Sequence, residues 1–259
     1  MTRPVGRPVA RPSLPGRPGW PGGGTHAEVR VWGTDRLLPA LRRMATGRRS
    51  LRGTPGLRFA KLLGTGAGTT FTPRDADPGH WALLTVFDDE AAREDFEDSR
   101  LVRAWRDDAT EELRVRMRPL LSRGLWSGVE PFAEPAPGAE PVPGGPGTAS
   151  YAGPVAAITR ARLRTLRTPS FWRAVPPVAE DLAGAPGLRL AVGVGESPVG
   201  LQGTFSLWES TDALVGFAYR SRAHREVVRR TAPARWYAEE LFARLAVTEV
   251  TGTHRGEEP

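Results

Sequence analysis

The sequence predicts an α+β protein of 259 residues, built from two copies of one unit with the order strand, helix, strand, strand, helix, strand. The first observation is an internal repeat: PGLRFAKLLGTG begins at Pro55, and PGLRLAVGVGES begins at Pro186. The second is that a matched segment follows each of these, WALLTVFDDEAAREDFEDSRLVRAW from Trp81 and LQGTFSLWESTDALVGFAYRSRAHREVV from Leu201. Because two segments repeat in the same order, the pattern indicates duplication of a whole structural unit.

Each copy can be assigned element by element from its apolar patterning. The Pro-Gly pair of each copy predicts a turn into the second strand, and Thr168-Pro169 is typical of a helix start. In copy one we expect strands at 28–32, 57–63, 82–87 and 121–129, with helices at 37–45 and from 88 onward. In copy two we expect strands at 154–163, 188–194, 203–208 and 242–250, with helices at 168–182 and from Ser210 onward.

This order is that of a ferredoxin-like unit, whose sheet has helices on one face only. The bare face must be buried, and the other copy is the obvious cover. The predicted architecture is therefore two tandem ferredoxin-like (βαββαβ) units that form a pseudo-dimeric α/β barrel, with a pocket between helices and sheet. The sequence leaves open whether the units pair within one chain or across a dimer, and hence the oligomeric state.

Composition suggests where the two units begin and end. Residues 1–26 and 132–150 are rich in Pro and Gly, so we expect a disordered tail and a flexible linker there. The ferredoxin-like units then occupy 27–131 and 151–253, the second carrying the site, and 254–259 form a flexible carboxy terminus.

Charge and cysteine content exclude several classes of function. The absence of cysteine excludes disulfides, thiolate zinc sites, cysteine nucleophiles, iron–sulfur clusters and thiolate-ligated haem. The net charge of +7 is supplied in large part by four arginines of the tail, so we expect no nucleic-acid binding. No apolar run is long enough for a membrane span, and we expect a cytoplasmic protein with at most peripheral membrane contact.

Common site motifs are missing from the sequence. There is no Walker A motif and no Gly-x-Ser-x-Gly elbow, and the glycine run at 64–68 lacks dinucleotide spacing, so we expect a flexible loop there. Four histidines show no zinc-site spacing, which argues against a protein zinc site: His26, His80, His224 and His254.

One histidine is distinguished by its position. On the helix that Ser210 opens, His224 falls on an apolar stripe with Leu214, Phe217 and Val228, so we expect it to be partly buried and to face the sheet. From spacing alone it is a core side chain, a general base or an axial ligand to a flat apolar cofactor such as haem. Eight Trp and nine Phe against three Tyr suit either an apolar cavity or ordinary core packing.

The segment FAYRSRAHREVVRRTAPARWYAEELFARLAV, residues 217–247, resembles the spheroidene monooxygenase-like family of carotenoid oxygenases, as does SLWESTDALVG before it. The resemblance is most specific over residues 154–253, while copy one matches mainly in pattern. The family belongs with the dimeric α/β barrels.

The resemblance implies a monooxygenase that oxygenates a long, apolar, carotenoid-like substrate, in the type case an acyclic carotenoid oxidised to a ketone. It also implies haem and an unidentified electron donor. His224 would be the catalytic residue and haem-iron ligand, with Arg220, Arg222 or Arg225 as partners of the haem propionates. The pocket would be lined by Phe217, Trp236, Tyr237 and Phe242. Two alternatives on the same barrel remain: a cofactor-free monooxygenase of the antibiotic-biosynthesis type, and a non-catalytic protein that binds a hydrophobic small molecule.

Overall fold

The computed structural model describes residues 23–70, 72–132, 151–196 and 203–259. In these ranges eight strands close into one barrel in the order β1-β3-β2-β6-β7-β5-β8-β4, with every neighbouring pair antiparallel. The strands are β1 (Gly23–Gly33), β2 (Leu57–Gly66), β3 (Ala76–Asp89), β4 (Glu111–Gly124), β5 (Val155–Leu163), β6 (Leu188–Gly195), β7 (Gly203–Trp208) and β8 (Tyr237–Gly252).

The barrel consists of two halves with the same strand order. The first half runs β4-β1-β3-β2 and the second β8-β5-β7-β6, so each is a ferredoxin-like sheet. A long seam joins β4 to β8, and a short one joins Gly64–Gly66 of β2 to Gly193–Gly195 of β6. The predicted pseudo-dimeric α/β barrel is confirmed, and the two units pair within one chain.

The repeated Pro-Gly turns occupy equivalent places in the two halves. The carbonyl oxygen of Gly56 accepts from the Asp88 N–H at 3.0 Å, and that of Gly187 accepts from the Glu209 N–H at 2.8 Å. Both glycines have positive φ, 66° and 77°, and a Cβ at either would collide with an alanine of the following helix. Glycine is therefore required twice by the same backbone conformation and the same close approach.

Helices cover the outside of the barrel in both halves. In the described ranges they are α1 (Leu37–Ser50), α2 (Glu90–Asp95), α3 (Arg100–Arg106), α4 (Thr168–Trp172), α5 (Val175–Ala183), α6 (Thr211–Arg220) and α7 (Arg222–Ala234). None of them has the length and apolar character needed to cross a membrane.

Apolar side chains fill both the barrel interior and the space under the helices. Inward-facing residues from all eight strands form one buried cluster, so the interior is a packed core. Under the first-half helices the Trp32 and Trp105 rings stack at 5.4 Å, and in the second half Trp208 packs with Leu214.

Several predicted boundaries are wrong. The helix expected from Ser210 onward is two helices, because Ser221 is extended (φ −60°, ψ 120°) and its hydroxyl accepts from the His224 N–H at 2.9 Å, as an N-cap does. The 168–182 helix is likewise divided into α4 and α5. The strand expected at 121–129 begins at Glu111, and the glycine run expected as a loop contributes Gly64–Gly66 to β2.

Some residues of the segments predicted to be flexible are packed in the structure. Residues 1–22 and 133–150 lie outside the described ranges. Thr25 and His26 are buried in β1, however, and Phe132 packs on the barrel core. The carboxy terminus also differs from the prediction, because His254 is buried and forms a backbone bridge with Glu257.

Candidate active site

His224 lies in the first turn of α7, where α5, α6 and α7 meet. Its backbone N–H donates to the Ser221 hydroxyl, which itself donates to Asp181 of α5 at 2.6 Å. Helix α7 packs against α5 and α6, and the imidazole is half-buried. The two hydrogen bonds of Ser221 therefore fix the position of the His224 backbone relative to α5.

The hydrogen bond made by the His224 ring determines its tautomer. Nδ1 lies 3.0 Å from the carbonyl oxygen of Ala218, one of the last carbonyls of α6. A carbonyl oxygen can only accept, so Nδ1 carries a proton, and the lone pair of the neutral ring is on Nε2. Within the described residues Nε2 has no hydrogen-bond partner. A backbone carbonyl on one imidazole nitrogen is the usual support for a histidine that binds metal through the other.

Phe217 separates His224 from the sheet. Its ring centroid is 5.2 Å from that of His224 and 5.5 Å from that of Trp208, which is buried on β7. The apolar stripe ends soon after, since Val228 is 58% exposed. The expectation that His224 faces the sheet is therefore corrected: the helix break turns it toward α6.

The arginines next to His224 carry charge that is not neutralised nearby. Arg220 and Arg225 are exposed, and neither forms an ion pair with a described residue. The only acidic residue of α7 is Glu226, which pairs with Arg229. The α6–α7 junction thus presents a basic surface suited to anionic groups.

Trp236 is fully buried at the junction of α7 and β8. Its indole N–H donates to the Ser170 hydroxyl at 2.9 Å, and its ring meets that of Phe171 edge-on at 5.8 Å. Arg230 of α7 lies over the same indole, 5.6 Å from the centroid. These contacts fasten α4 and α7 to the start of β8.

The other predicted pocket residues have different neighbours. Tyr237 also meets Phe171, at 5.9 Å, and its burial raises the pKa of its hydroxyl. Phe242 lies further along β8, under the guanidinium of Arg123 at 5.6 Å. The structure thus brings Trp236 and Tyr237 together around Phe171, while Phe217 stays with His224 and Phe242 with Arg123.

A cavity of about 500 Å³ lies at one end of the barrel, and most of the residues that line it are charged. Buried Arg160 lies there between Glu239 and Glu196, with the Glu196 contact at 2.7 Å. Burial would raise the pKa of Glu196, but hydrogen bonds from Lys61 and Trp126 lower it, so this carboxylate stays charged. Such a lining opposes an apolar ligand. The wall is formed by Ser127, Gly128, Arg160, Arg162, Glu196 and Glu239.

A second cluster was missed by the sequence reasoning. His80, Glu111 and His254 each place a donor atom within 4.8 Å of the others. His80 and His254 are far apart in the chain and meet only because the barrel closes, so no local spacing could reveal them. The only signal available was that histidine is rare here, with four in the chain.

Comparison with known proteins places the chain among enzymes. No protein-family model matches it. It is 34% identical to the spheroidene monooxygenase of Rhodobacter capsulatus, over 88% of this chain and 90% of that protein. It is 36% identical to the spheroidene monooxygenase of Rubrivivax gelatinosus, over 88% of this chain and 80% of that protein.

A solved structure supports the fold. The aldoxime dehydratase OxdRE in complex with butyraldoxime aligns with a TM-score of 0.52 and 13% identity, over 91% of this chain and 84% of that one. At such low identity only the architecture is shared. The two sequence relatives, by contrast, match 88% of this chain and therefore both halves of the barrel, and so the chain belongs to the spheroidene monooxygenase family and is a monooxygenase.

Proposed function

We propose that this monooxygenase is haem-dependent, that His224 is its iron ligand, and that it oxygenates a long, apolar, carotenoid-like substrate. The observation that carries the proposal is the Nδ1–H bond from His224 to the Ala218 carbonyl, which leaves Nε2 as a lone-pair donor. The absence of cysteine excludes a thiolate ligand to haem, and a neutral imidazole is a common alternative.

The surroundings of His224 suit both the apolar ring of haem and its carboxylates. Phe217 supplies an aromatic wall beside the imidazole, and Arg220 and Arg225 supply unpaired positive charge for carboxylates. Bound haem would supply dioxygen activation, with electrons from a separate donor that remains to be identified. The role of the chain is to hold the imidazole through Ala218, anchor the anionic edge and exclude water at the Phe217 side.

The apolar substrate is supported by exposed side chains on the two helices that meet beside His224. Tyr219 on α6 is 71% exposed and Val228 on α7 is 58% exposed. An apolar ligand that covered both would remove their apolar surface from water, which is favourable. A long polyene lying along these helices would cover them, whereas the polar cavity around Arg160 offers no such surface.

The proposal is tested by haem titration of the purified, untagged protein, monitored at the Soret band. We expect saturation at one haem per chain for the wild type and for Val228→Ala, which alters the same helix without touching the imidazole. We expect His224→Ala to lose the band or to shift it, with an unchanged far-UV circular dichroism spectrum.

Failure to bind haem in the wild type would refute the proposal and favour a cofactor-free reaction. An unchanged Soret spectrum in His224→Ala would refute the ligand assignment.

A further inference from the structure

A second set of donor atoms lies where β3, β4 and the carboxy-terminal turn meet. His80 Nε2 is 2.8 Å from Glu111 Oε1, and the His80 and His254 rings meet edge-on at 4.8 Å. Two imidazoles and one carboxylate are a donor set that divalent transition metals favour.

Glu111 is held in place by the backbone of the turn. Its Oε1 accepts from the Arg255 N–H at 2.8 Å, and its Oε2 accepts from the Gly256 N–H at 3.0 Å and the Thr253 hydroxyl at 3.0 Å. These bonds orient the carboxylate before any ligand arrives.

His254 has a nitrogen with no partner. The residue is 9% exposed, and its Nδ1 is buried without a hydrogen bond to any described residue. A buried, unpaired polar atom costs about 1–3 kcal/mol, so a native structure usually provides something that satisfies it.

His80 lies between two carboxylates. Its Nδ1 is 2.8 Å from Asp77 Oδ2, and Asp77 is itself fixed by the Arg255 guanidinium at 2.7 Å and the Gly79 N–H at 3.0 Å. One carboxylate therefore faces each ring nitrogen, and a metal ion in place of the Nε2 proton would be bound by His80 and Glu111 together. A carboxylate behind a histidine is also the common support of a metal ligand.

The other half of the barrel provides an internal comparison. There the turn at Trp126–Val129 donates from Ser127 N–H and Gly128 N–H to Glu239, at 2.9 and 2.8 Å, just as the Arg255 and Gly256 N–H groups donate to Glu111. Glu239 is neutralised by the guanidinium of buried Arg160.

Glu111 has no such guanidinium. Within the described residues the one basic side chain within 4.0 Å of it is His80, since the Arg255 guanidinium goes to Asp77. The equivalent carboxylate therefore has a fixed cation in one half of the barrel and two imidazoles in the other.

We propose that His80, Glu111 and His254 bind one divalent transition-metal ion, Zn²⁺ or Fe²⁺, at a site separate from His224. The ion would tie the carboxy-terminal turn to β3 and β4. The His80 and Glu111 side chains are 16% and 17% exposed, so water can complete the coordination shell.

The test uses the untagged full-length protein, stripped with a chelator and dialysed. Titration with Zn²⁺ by calorimetry, and with Co²⁺ by visible absorption, should show one ion per chain and a higher melting temperature with metal. His254→Ala and Glu111→Gln should abolish saturable binding, and Asp77→Asn should weaken it about 10- to 100-fold. His224→Ala should bind with unchanged affinity, which separates this site from the proposed haem ligand.

No saturable binding by the wild type would overturn the proposal, as would full binding by His254→Ala. Anomalous diffraction at the zinc edge gives a check that does not depend on variants. A peak between the three side chains supports the site, and a peak only elsewhere refutes it.

Discussion

Acid should destabilise this protein through His26, a histidine that the proposed reaction does not use. His26 is 6% exposed on β1, and the Arg118 guanidinium donates to its Nε2 at 2.7 Å. Burial, and next the charge of Arg118, lowers its pKa from 6.5 to about 4, although Glu90 and Asp89 oppose the shift. The unfolded chain therefore binds this proton more readily, and stability falls as the pH drops from about 6.5 to about 4.

The size of the effect follows from the two pKa values. At pH 5 the unfolded imidazole is about 97% protonated and the folded one about 9%, which corresponds to about 2 kcal/mol of lost stability. At pH 8 the loss of stability from His26 is close to zero. His26→Gln keeps an acceptor for Arg118 but has no proton to gain. The variant should therefore lack the loss of stability that His26 causes, and should keep the losses that all other titratable groups cause.

Urea unfolding of both proteins at pH 8 and pH 5 measures the difference. We expect the wild type to lose about 2 kcal/mol more than His26→Gln between the two pH values. Equal losses would show that His26 is protonated in the folded state, and the explanation from burial and Arg118 would be wrong.

Three further substitutions test the seam and the helix junction. Gly124→Ala should destabilise by at least about 2 kcal/mol, because φ is 92° there and a Cβ would collide with a carbonyl oxygen of β8, whereas Gly128→Ala, with φ of 78° and open space, should cost about 1 kcal/mol. Equal unfolding midpoints for the two variants would contradict this. Ser221→Ala should cost about 1 kcal/mol by removing the N-cap of α7, and should also weaken haem binding through His224. Haem affinity equal to that of the wild type would show that the cap does not position the imidazole.

The fold was predictable because the repeat and the strand alternation carry the information locally. The Pro-Gly turns at Pro55 and Pro186 indicate a repeat in the sequence, and the two halves of the barrel share one strand order. The start of β4 was missed although Leu113, Val115 and Met117 alternate inward. The residues between them are arginines of the outer face, where Arg114 and Arg116 form ion pairs with Glu97.

The site was only partly predictable. His224 was found because it lies on an apolar stripe, but the break at Ser221, which turns the imidazole toward Ala218, depends on a side-chain cap competing with helix continuation. The meeting of His80 with His254 depends on the β4–β8 register, in which Leu113 pairs with Gly252. Such long-range register leaves no trace in residue spacing.

The most direct test of the central claim is turnover of an acyclic carotenoid by the haem-loaded protein under ¹⁸O₂, with an electron donor, followed by mass spectrometry of the product. The account predicts a ketone that carries ¹⁸O from the wild type and from Arg229→Ala, whose exposed side chain pairs with Glu226 on the same helix, and no such product from His224→Ala. A product without oxygen from O₂, or equal turnover by His224→Ala or by haem-free protein, would contradict it.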